Sequence, residues 1–192
     1  MEEVDRGATH PRSSPDIMSV QRIAILGAES SGKSTLAAAL AAHYQTVWVP
    51  EYLREFVEVQ QRVPYEHEQI HIGTTQVTRE DEASSHVAAR TYVFCDTTPL
   101  MTAIYSRYCF GKVDAPLAQL AASRRYEVTL VAAPDCPWVA DGLQRDSDAA
   151  RQAIHAIVVQ TLDELGVAYL LVEGALPQRM ATVTAHLQQQ LS

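Results

Sequence analysis

The chain has 192 residues, of which 47% are hydrophobic and 20% are charged, and its formal net charge is -8. A chain of this length buries one hydrophobic core with little left for a second, so we expect one domain. The 15 lysine and arginine residues are scattered through the sequence. A nucleic-acid-binding surface needs clustered positive charge, so this composition argues against a nucleic-acid partner and favours a small molecule or a protein.

The sequence shows no segment for membrane insertion or export. No stretch approaches the roughly 18 to 20 continuous apolar residues of a membrane helix, and the N-terminal region lacks the apolar segment of a signal peptide. We therefore expect a cytoplasmic protein without membrane association. Residues 1–18, with several Gly, Pro and Ser residues, are expected to form a disordered leader before a domain at residues 19–192, and the alternative is that translation starts at Met18. The sequence leaves the oligomeric state undetermined.

The three cysteines, Cys95, Cys109 and Cys136, form no CxxC pair. Their odd number and apolar neighbours predict reduced and mostly buried thiols, as is usual in a cytoplasmic protein.

Short apolar segments alternate with helical patterns along most of the chain. Residues 33–44 supply strong helix formers without a breaker, and apolar residues spaced along one face predict helices over residues 150–165 and 180–191. The strand candidates are residues 22–26, 46–49, 92–95, 128–131 and 169–172. Five strands alternating with helices predict a three-layer α/β fold with a parallel sheet and right-handed crossovers.

Residues 27–34 match the phosphate-loop motif G-x-x-x-x-G-K-S/T, between the first predicted strand and the first predicted helix. The glycines permit a tight loop whose backbone N–H groups, together with the helix N-terminus, bind phosphate oxygens. In this motif Lys33 neutralises the β- and γ-phosphates and the Ser34 hydroxyl ligates Mg²⁺, so ATP and Mg²⁺ are the expected cofactors. The ATP-binding residues indicated are Gly27, Glu29, Ser30, Ser31, Gly32, Lys33, Ser34 and Thr35.

Two carboxylates, Glu51 and Asp96, follow apolar strand candidates. Because ligands bind at the carboxyl ends of parallel strands, both side chains are predicted to face the phosphate loop. Asp96 is a candidate Mg²⁺ ligand. Glu51 is a candidate base that accepts the proton of an attacking hydroxyl, with Arg54 one helical turn away to steady a negative charge. The alternative for Glu51 is the solvated start of a helix.

Residues 134–147 follow the fourth strand candidate and are rich in loop-forming residues. A long loop at the carboxyl edge of the sheet is placed to act as a lid, and its alternative is an ordinary surface connection. Arg145, as a catalytic residue, and Arg151, as an ATP-binding residue, are candidates for closing on the transferred phosphoryl group. Their alternative is exposure to solvent.

Residues 67–71 match H-E-x-x-H, in which two histidines on one helical face bind zinc and the glutamate acts as a base. A zinc hydrolase needs a third ligand, which Glu80 or Glu82 would have to supply. The α/β units and the phosphate loop leave no structure for such an enzyme, so we interpret His67 and His71 as surface residues. A further alternative is a nucleotide-binding regulator that transfers no phosphate to a small molecule.

Several segments in combination resemble the nicotinamide riboside (ribosylnicotinamide) kinase domain of NadR-type proteins, within the NadR-like P-loop ATPases. They span about residues 21–190 and are residues 27–34, residues 51–55, Gly73, Gln76, residues 95–98, the region of Tyr108 and residues 138–143. The resemblance implies a sheet of order 2-3-1-4-5, as in nucleoside and nucleoside-monophosphate kinases. It also implies ATP-dependent phosphorylation of the ribose 5′-hydroxyl of nicotinamide riboside to nicotinamide mononucleotide.

The resemblance further implies an acceptor site and a division of catalytic roles. Lys33 would act on the phosphates, while Glu51 and Asp96 would share substrate positioning, Mg²⁺ contact and the role of base. Pro50 stands where the family often has a tryptophan that stacks on nicotinamide, so Tyr108, Tyr52 or Trp48 would supply the stack, or the acceptor is another nucleoside. The substrate-binding residues implied are Glu51, Tyr52, Arg54, Gln76, Asp96, Tyr108 and Trp138.

Overall fold

The structure, a computed structural model, describes residues 20–88, 91–137 and 147–190. Within these ranges the strands and helices alternate as the sequence predicts. The strands are β1 Gln21–Leu26, β2 Val47–Val49, β3 Tyr92–Asp96, β4 Val128–Ala132 and β5 Leu170–Val172. The helices are α1 Lys33–Tyr44, α2 Tyr52–Gln60, α3 Gln69–His86, α4 Pro99–Phe110, α5 Ala115–Ser123, α6 Asp148–Leu165 and α7 Leu176–Gln190, with a short 3₁₀ helix at Glu66–Glu68 before α3.

The five strands form one sheet in the order β2-β3-β1-β4-β5, and every pair is parallel. This confirms the predicted fold class and strand order. β3 and β4 are buried along their whole length, whereas β2 and β5 have only three residues each and are partly exposed. Strands of a parallel sheet that are covered on both faces appear in the sequence as short apolar segments, as β3 and β4 do.

Helices cover both faces of the sheet and give three layers. On one face, α1 and α7 pack against the central strands through buried residues such as Leu36, Leu40, Val183 and Leu187. On the other face, α4 and α6 supply Met101, Ile104, Ile154, Val158 and Leu162, which pack on β1 and β4. The sheet therefore lies between two layers of helices. Because all of its strands are parallel, their carboxyl ends lie at the same edge of the sheet.

The predicted helices at residues 33–44 and 150–165 correspond to α1 and α6. Gly166 follows α6 in the left-handed conformation, with φ 64°, and its N–H caps the helix by bonding to Asp163 and Leu162 carbonyls. No helix within the described ranges is long and apolar enough to cross a membrane.

The expectation of mostly buried cysteines was wrong. Cys95 is buried in β3, but Cys136 is partly exposed and Cys109 is exposed. Cys109 lies in the last turn of α4, whose final residues face solvent, and its apolar neighbours in sequence gave no sign of this. The predicted leader at residues 1–18 and most of the predicted lid, residues 138–146, lie outside the described residues.

Candidate functional site

The loop between β1 and α1 takes a conformation that few residues allow. Gly27 has φ 145° and Gly32 has φ 81°, and both values favour glycine. A Cβ atom on Gly27 would lie 2.8 Å from the carbonyl oxygen of Ala132 in β4. Gly27 is thus required for two reasons: its backbone angle favours glycine, and the neighbouring strand leaves no room for a Cβ atom.

Two side chains hold this loop in shape from within. The hydroxyl of Ser31 and the ammonium group of Lys33 both donate to the carbonyl oxygen of Ala28, at 2.7 and 2.9 Å. Lys33 is only 8% exposed, and it is the first residue of α1. The loop thus joins a positively charged side chain to a helix N-terminus, and both features favour the binding of phosphate.

Ser34 and Asp96 meet at the carboxyl edge of the sheet. The Ser34 hydroxyl donates to Asp96 Oδ2 over 2.5 Å. Asp96 is 1% exposed, and its Oδ1 is buried without a hydrogen-bond partner among the described residues. One carboxylate and one hydroxyl suit Mg²⁺, which takes oxygen ligands and keeps positions for phosphate and water. These two residues therefore fit the cation that the phosphate-loop motif implies.

Glu51 lies beside this pair, at the junction of β2 and α2. Thr97, which follows Asp96 at the end of β3, donates to Glu51 Oε1 over 3.3 Å. Thr97 has φ 75°, an unusual value for a β-branched residue and one that is often found at functional sites. Burial raises the pKa of Glu51, the neighbouring Lys33 and Arg54 lower it, and Asp96 raises it. Glu51 is thus a partly desolvated carboxyl group next to the candidate phosphate site.

A narrow cavity of about 10 Å³ adjoins Glu51. This volume is close to that of one water molecule. Gln76 in α3 is 2% exposed, and its Oε1 accepts a hydrogen bond of 3.0 Å from the Tyr52 N–H. The Gln76 Nε2 is buried without a partner among the described residues. The cavity is lined by Glu51, Leu53, Ile72, Gln76, Thr97, Met101, Thr102 and Tyr105.

Tyr105 in α4 belongs to this site, although the sequence gave no reason to choose it over the other aromatic residues. Its ring lines the cavity, and its hydroxyl donates a hydrogen bond to the Glu29 carboxylate in the phosphate loop. The two residues are 76 positions apart, and no local pattern connects them. Glu29, predicted as an ATP-binding residue, is thus turned toward α4.

Sequence reasoning also missed Arg179, a buried residue of α7 that is 2% exposed. Its guanidinium donates to the carbonyl oxygens of Ser31 at 2.5 Å, Ala133 at 3.1 Å and Gly174 at 2.8 Å, and it pairs with Asp135. Arg179 thus joins the phosphate loop to the segments after β4 and β5.

Arg151 is also buried behind the loop, at 4% exposure. It donates to the carbonyl oxygen of Cys136 at 2.8 Å and to that of Ser30 at 3.4 Å, and it pairs with Asp148. The alternative of solvent exposure for Arg151 was therefore wrong, because its guanidinium is buried and donates hydrogen bonds to backbone carbonyl oxygens near the loop. Its contact with ATP stays a prediction.

Other predicted site residues are not among those that line the cavity or lie outside the described residues. Tyr108 is 44% exposed and is not among the residues that line it. Tyr52 contacts His71 and packs its ring under Arg79. Thr35 and Arg54 are exposed. Trp138 and Arg145 lie outside the described residues, so their roles stay predictions.

The H-E-x-x-H segment straddles the junction between the 3₁₀ helix and α3, and His67 and His71 are both exposed. Glu68 forms two hydrogen bonds of 2.7 Å with Arg62. These bonds, with one from the Tyr65 backbone, lower the pKa of Glu68 to about 2, which makes it a poor base. In the part of the chain that the structure describes, no group of three or more His, Cys, Asp or Glu side chains is arranged to hold a metal ion.

The geometry can be compared with that of known proteins. A family profile described as an AAA domain matches residues 22–179. The chain belongs to this AAA-domain family. It is also 30% identical over 163 residues to the trifunctional NAD biosynthesis/regulator protein NadR of Salmonella typhimurium (strain LT2). That match covers 81% of this chain and 39% of the relative, so the chain spans about two fifths of the relative's length.

Solved structures show the same fold. A NadR protein in complex with NAD and AMP-PNP has a TM-score of 0.69 at 19% identity, over 85% of this chain and 48% of that one. A NadR protein in complex with NR has a TM-score of 0.66 at 19% identity, over 81% and 44%. A deoxyadenosine kinase from M. mycoides has a TM-score of 0.61 at 13% identity, over 88% and 99%. The chain therefore has the fold of these NadR and nucleoside-kinase structures, which is the fold that its motifs predicted.

Proposed function

We propose that the domain is a kinase that transfers the γ-phosphate of ATP, with Mg²⁺, to the ribose 5′-hydroxyl of nicotinamide riboside, giving nicotinamide mononucleotide. One observation carries this proposal. The Glu51 carboxylate is joined through Thr97 to the strand end that holds Asp96, and Asp96 is bonded to Ser34 of the phosphate loop. A potential base for a hydroxyl acceptor thus adjoins the groups that would bind the transferred phosphate.

The phosphate loop supplies charge and position. Phosphoryl transfer requires little covalent chemistry from the protein. Catalysis therefore comes mainly from aligning the reacting groups and from stabilising the charge of the transition state. Lys33 and the N–H groups at the start of α1 would hold the β- and γ-phosphates. Ser34 and Asp96 would hold Mg²⁺, which would supply positive charge to neutralise the phosphates.

Glu51 would orient the acceptor hydroxyl and accept its proton. Burial raises the pKa of Glu51 from its ordinary value of 4.5, which brings this carboxyl group closer to the range in which a base works well at neutral pH. The neighbouring Lys33 opposes the shift and favours the ionised form that a base requires. These opposing effects fit a carboxylate that takes up a proton only as the reaction proceeds.

The choice of nicotinamide riboside rests on the resemblance and on the relatives. NadR is named for NAD biosynthesis, and one NadR structure contains NR. The Gln76 Nε2, which has no hydrogen-bond partner among the described residues, is a donor suited to a carbonyl oxygen of an acceptor, such as that of a carboxamide. At about 10 Å³ the cavity is smaller than a nucleoside, so acceptor binding requires side chains around it to move.

A coupled assay of ADP release tests the proposal. The assay supplies Mg²⁺-ATP with nicotinamide riboside, other ribonucleosides or deoxynucleosides, and mass spectrometry identifies the phosphorylated product. Turnover with nicotinamide riboside above all other acceptors is expected. Turnover with a different nucleoside would retain the kinase and replace the acceptor, whereas no turnover with any acceptor would contradict the kinase itself.

The chain offers a matched control for this assay, because it has only two lysines, Lys33 and Lys112. Lys112 forms a surface ion pair with Glu66 and is 66% exposed. Lys33→Ala is expected to abolish ADP release while the circular dichroism spectrum stays that of the folded protein. Lys112→Ala is expected to keep the activity, because an exposed ion pair contributes little.

A further inference from the structure

The hydrogen bond between Tyr105 and Glu29 connects two parts of the site that the sequence does not connect. Glu29 lies in the phosphate loop, and Tyr105 lies in α4, where its ring lines the same cavity as Glu51. Among the described residues, Tyr105 is the hydrogen-bond partner of the Glu29 carboxylate. One side chain therefore touches the loop with its hydroxyl and the cavity with its ring.

The tyrosine hydroxyl is well suited to bind a carboxylate. Burial, with the negative charges of Glu29 and Glu51 nearby, raises the pKa of Tyr105 well above 10. The hydroxyl therefore keeps its proton at neutral pH and donates a hydrogen bond to the Glu29 carboxylate. Hydrogen bonds to a charged acceptor are about twice as strong as those between neutral groups.

A carboxylate in a phosphate loop is electrostatically unfavourable for nucleotide binding. Glu29 lies four residues from Lys33, whose ammonium group would neutralise the phosphates. Without a donor to hold it, the Glu29 carboxylate would repel the phosphate oxygens or compete with them for Lys33. A partner on α4 that fixes the carboxylate would keep it from interacting with either of them.

We propose that Tyr105 is a positioning residue that holds Glu29 against α4 and so keeps the phosphate loop competent to bind nucleotide. Its ring simultaneously forms part of the wall of the acceptor cavity, so the same residue also places the loop relative to the acceptor. The role of Tyr105 in nucleotide binding does not depend on the proposed kinase function, whereas its role in placing the loop relative to the acceptor does. Tyr105 acts through Glu29 and touches no reacting atom.

A double-mutant cycle tests the proposal. The dissociation constant of Mg²⁺-AMP-PNP is measured by isothermal titration calorimetry for the wild type, Tyr105→Phe, Glu29→Ala and the double variant. Tyr105→Phe is expected to weaken binding about tenfold, the loss of one hydrogen bond to a charged group. In the Glu29→Ala background the same change is expected to have almost no effect, because no carboxylate remains to be held.

Tyr44→Phe is the matched control. It removes a hydroxyl that is buried without a hydrogen-bond partner among the described residues, on the other face of the sheet. Its nucleotide affinity is expected to equal that of the wild type. Thermal unfolding of all variants checks that each is folded, and the phenylalanine keeps the ring of Tyr105 in place.

Two results would overturn the proposal. One is an unchanged affinity in Tyr105→Phe, and the other is an equal loss with and without Glu29, which would mean that the hydroxyl acts through packing. A wild type that binds AMP-PNP but phosphorylates no nucleoside would contradict the proposed kinase function instead. The cycle would still show in that case whether Tyr105 acts through Glu29.

Discussion

The Ser34 hydroxyl and Asp96 Oδ2 lie 2.5 Å apart although the two residues are separated by 62 positions in the chain. Parallel pairing of β1 with β3 places Ile25 opposite Asp96, so the first turn of α1 begins beside the end of β3. The candidate metal site is therefore built by the central strands of the sheet. The distance between Ser34 and Asp96 depends on the register of β1 and β3, and the buried side chains of both strands fix that register.

Asp96→Asn tests this pair as part of the catalytic site. The amide retains the size of the side chain and removes its charge, so kcat is expected to fall by about 10² to 10³, or roughly 3 to 4 kcal/mol, as for other preorganised electrostatic groups. Asp163→Asn on the exposed surface of α6 is the control and is expected to keep the activity. Steady-state kinetics with saturating Mg²⁺-ATP measure both, and an unchanged kcat in Asp96→Asn would assign Asp96 a structural role only.

Gln76→Met tests the role of the buried amide in acceptor binding. Methionine has a similar shape but lacks the Nε2 donor, so the KM for the acceptor is expected to rise while the KM for ATP stays the same. Losing Oε1 also leaves the Tyr52 N–H unpaired, which is expected to cost about 1 kcal/mol of unfolding free energy. Gln160→Met, exposed on α6, is the control. A parallel rise of both KM values would argue against a specific acceptor contact.

Arg179→Lys tests the buried guanidinium behind the phosphate loop. A lysine carries a single ammonium group and cannot reach the carbonyls of Ser31, Ala133 and Gly174 together. We expect a loss of roughly 3 kcal/mol in the free energy of unfolding, measured with urea, and weaker AMP-PNP binding. Arg79→Lys, at a partly exposed ion pair with Glu55, is expected to change stability by less than about 1 kcal/mol. Equal effects of the two substitutions would contradict this assignment.

Glu80→Gln probes a buried carboxyl group that lies outside the candidate site. Glu80 is 0% exposed and accepts hydrogen bonds from Tyr126 at 2.8 Å and Arg124 at 3.2 Å. Burial is the main effect on its pKa and raises it above the ordinary value of 4.5. The folded protein therefore binds this proton more tightly than the unfolded chain, and the resulting stabilisation is complete below pH 4.5 and is lost as the pH rises through the raised pKa.

The measurement compares urea unfolding of the wild type and Glu80→Gln at a series of pH values. The wild type is expected to gain stability relative to the variant as the pH falls toward 4.5. Glu55 provides a contrast, because the hydrogen bond from Arg79 lowers its pKa. The difference between the wild type and Glu55→Gln should therefore decrease as the pH falls. A pH-independent difference for Glu80→Gln would contradict the raised pKa.

The phosphate loop and the strands were predictable because their signals are local. A strand, a glycine-rich turn and a helix follow one another within residues 21–44, so the motif and its structural context could be read together. The positions of Asp96 and Glu51 were also predictable, since Asp96 ends β3 and Glu51 lies two residues after β2. Tyr105 and Arg179 were not, because their partners Glu29 and Ser31 are distant in sequence.

The sequence by itself determined the order of the elements and the position of the phosphate-loop motif between β1 and α1, because periodicity and motif spacing are properties of neighbouring residues. Only the tertiary structure decided which side chains hold that loop and which aromatic residue lines the cavity beside Glu51. Helices α4 and α7 deliver Tyr105 and Arg179 to the loop from opposite faces of the sheet. Such contacts arise when packed layers bring together residues that are distant in sequence. A pattern within a single segment therefore cannot predict them.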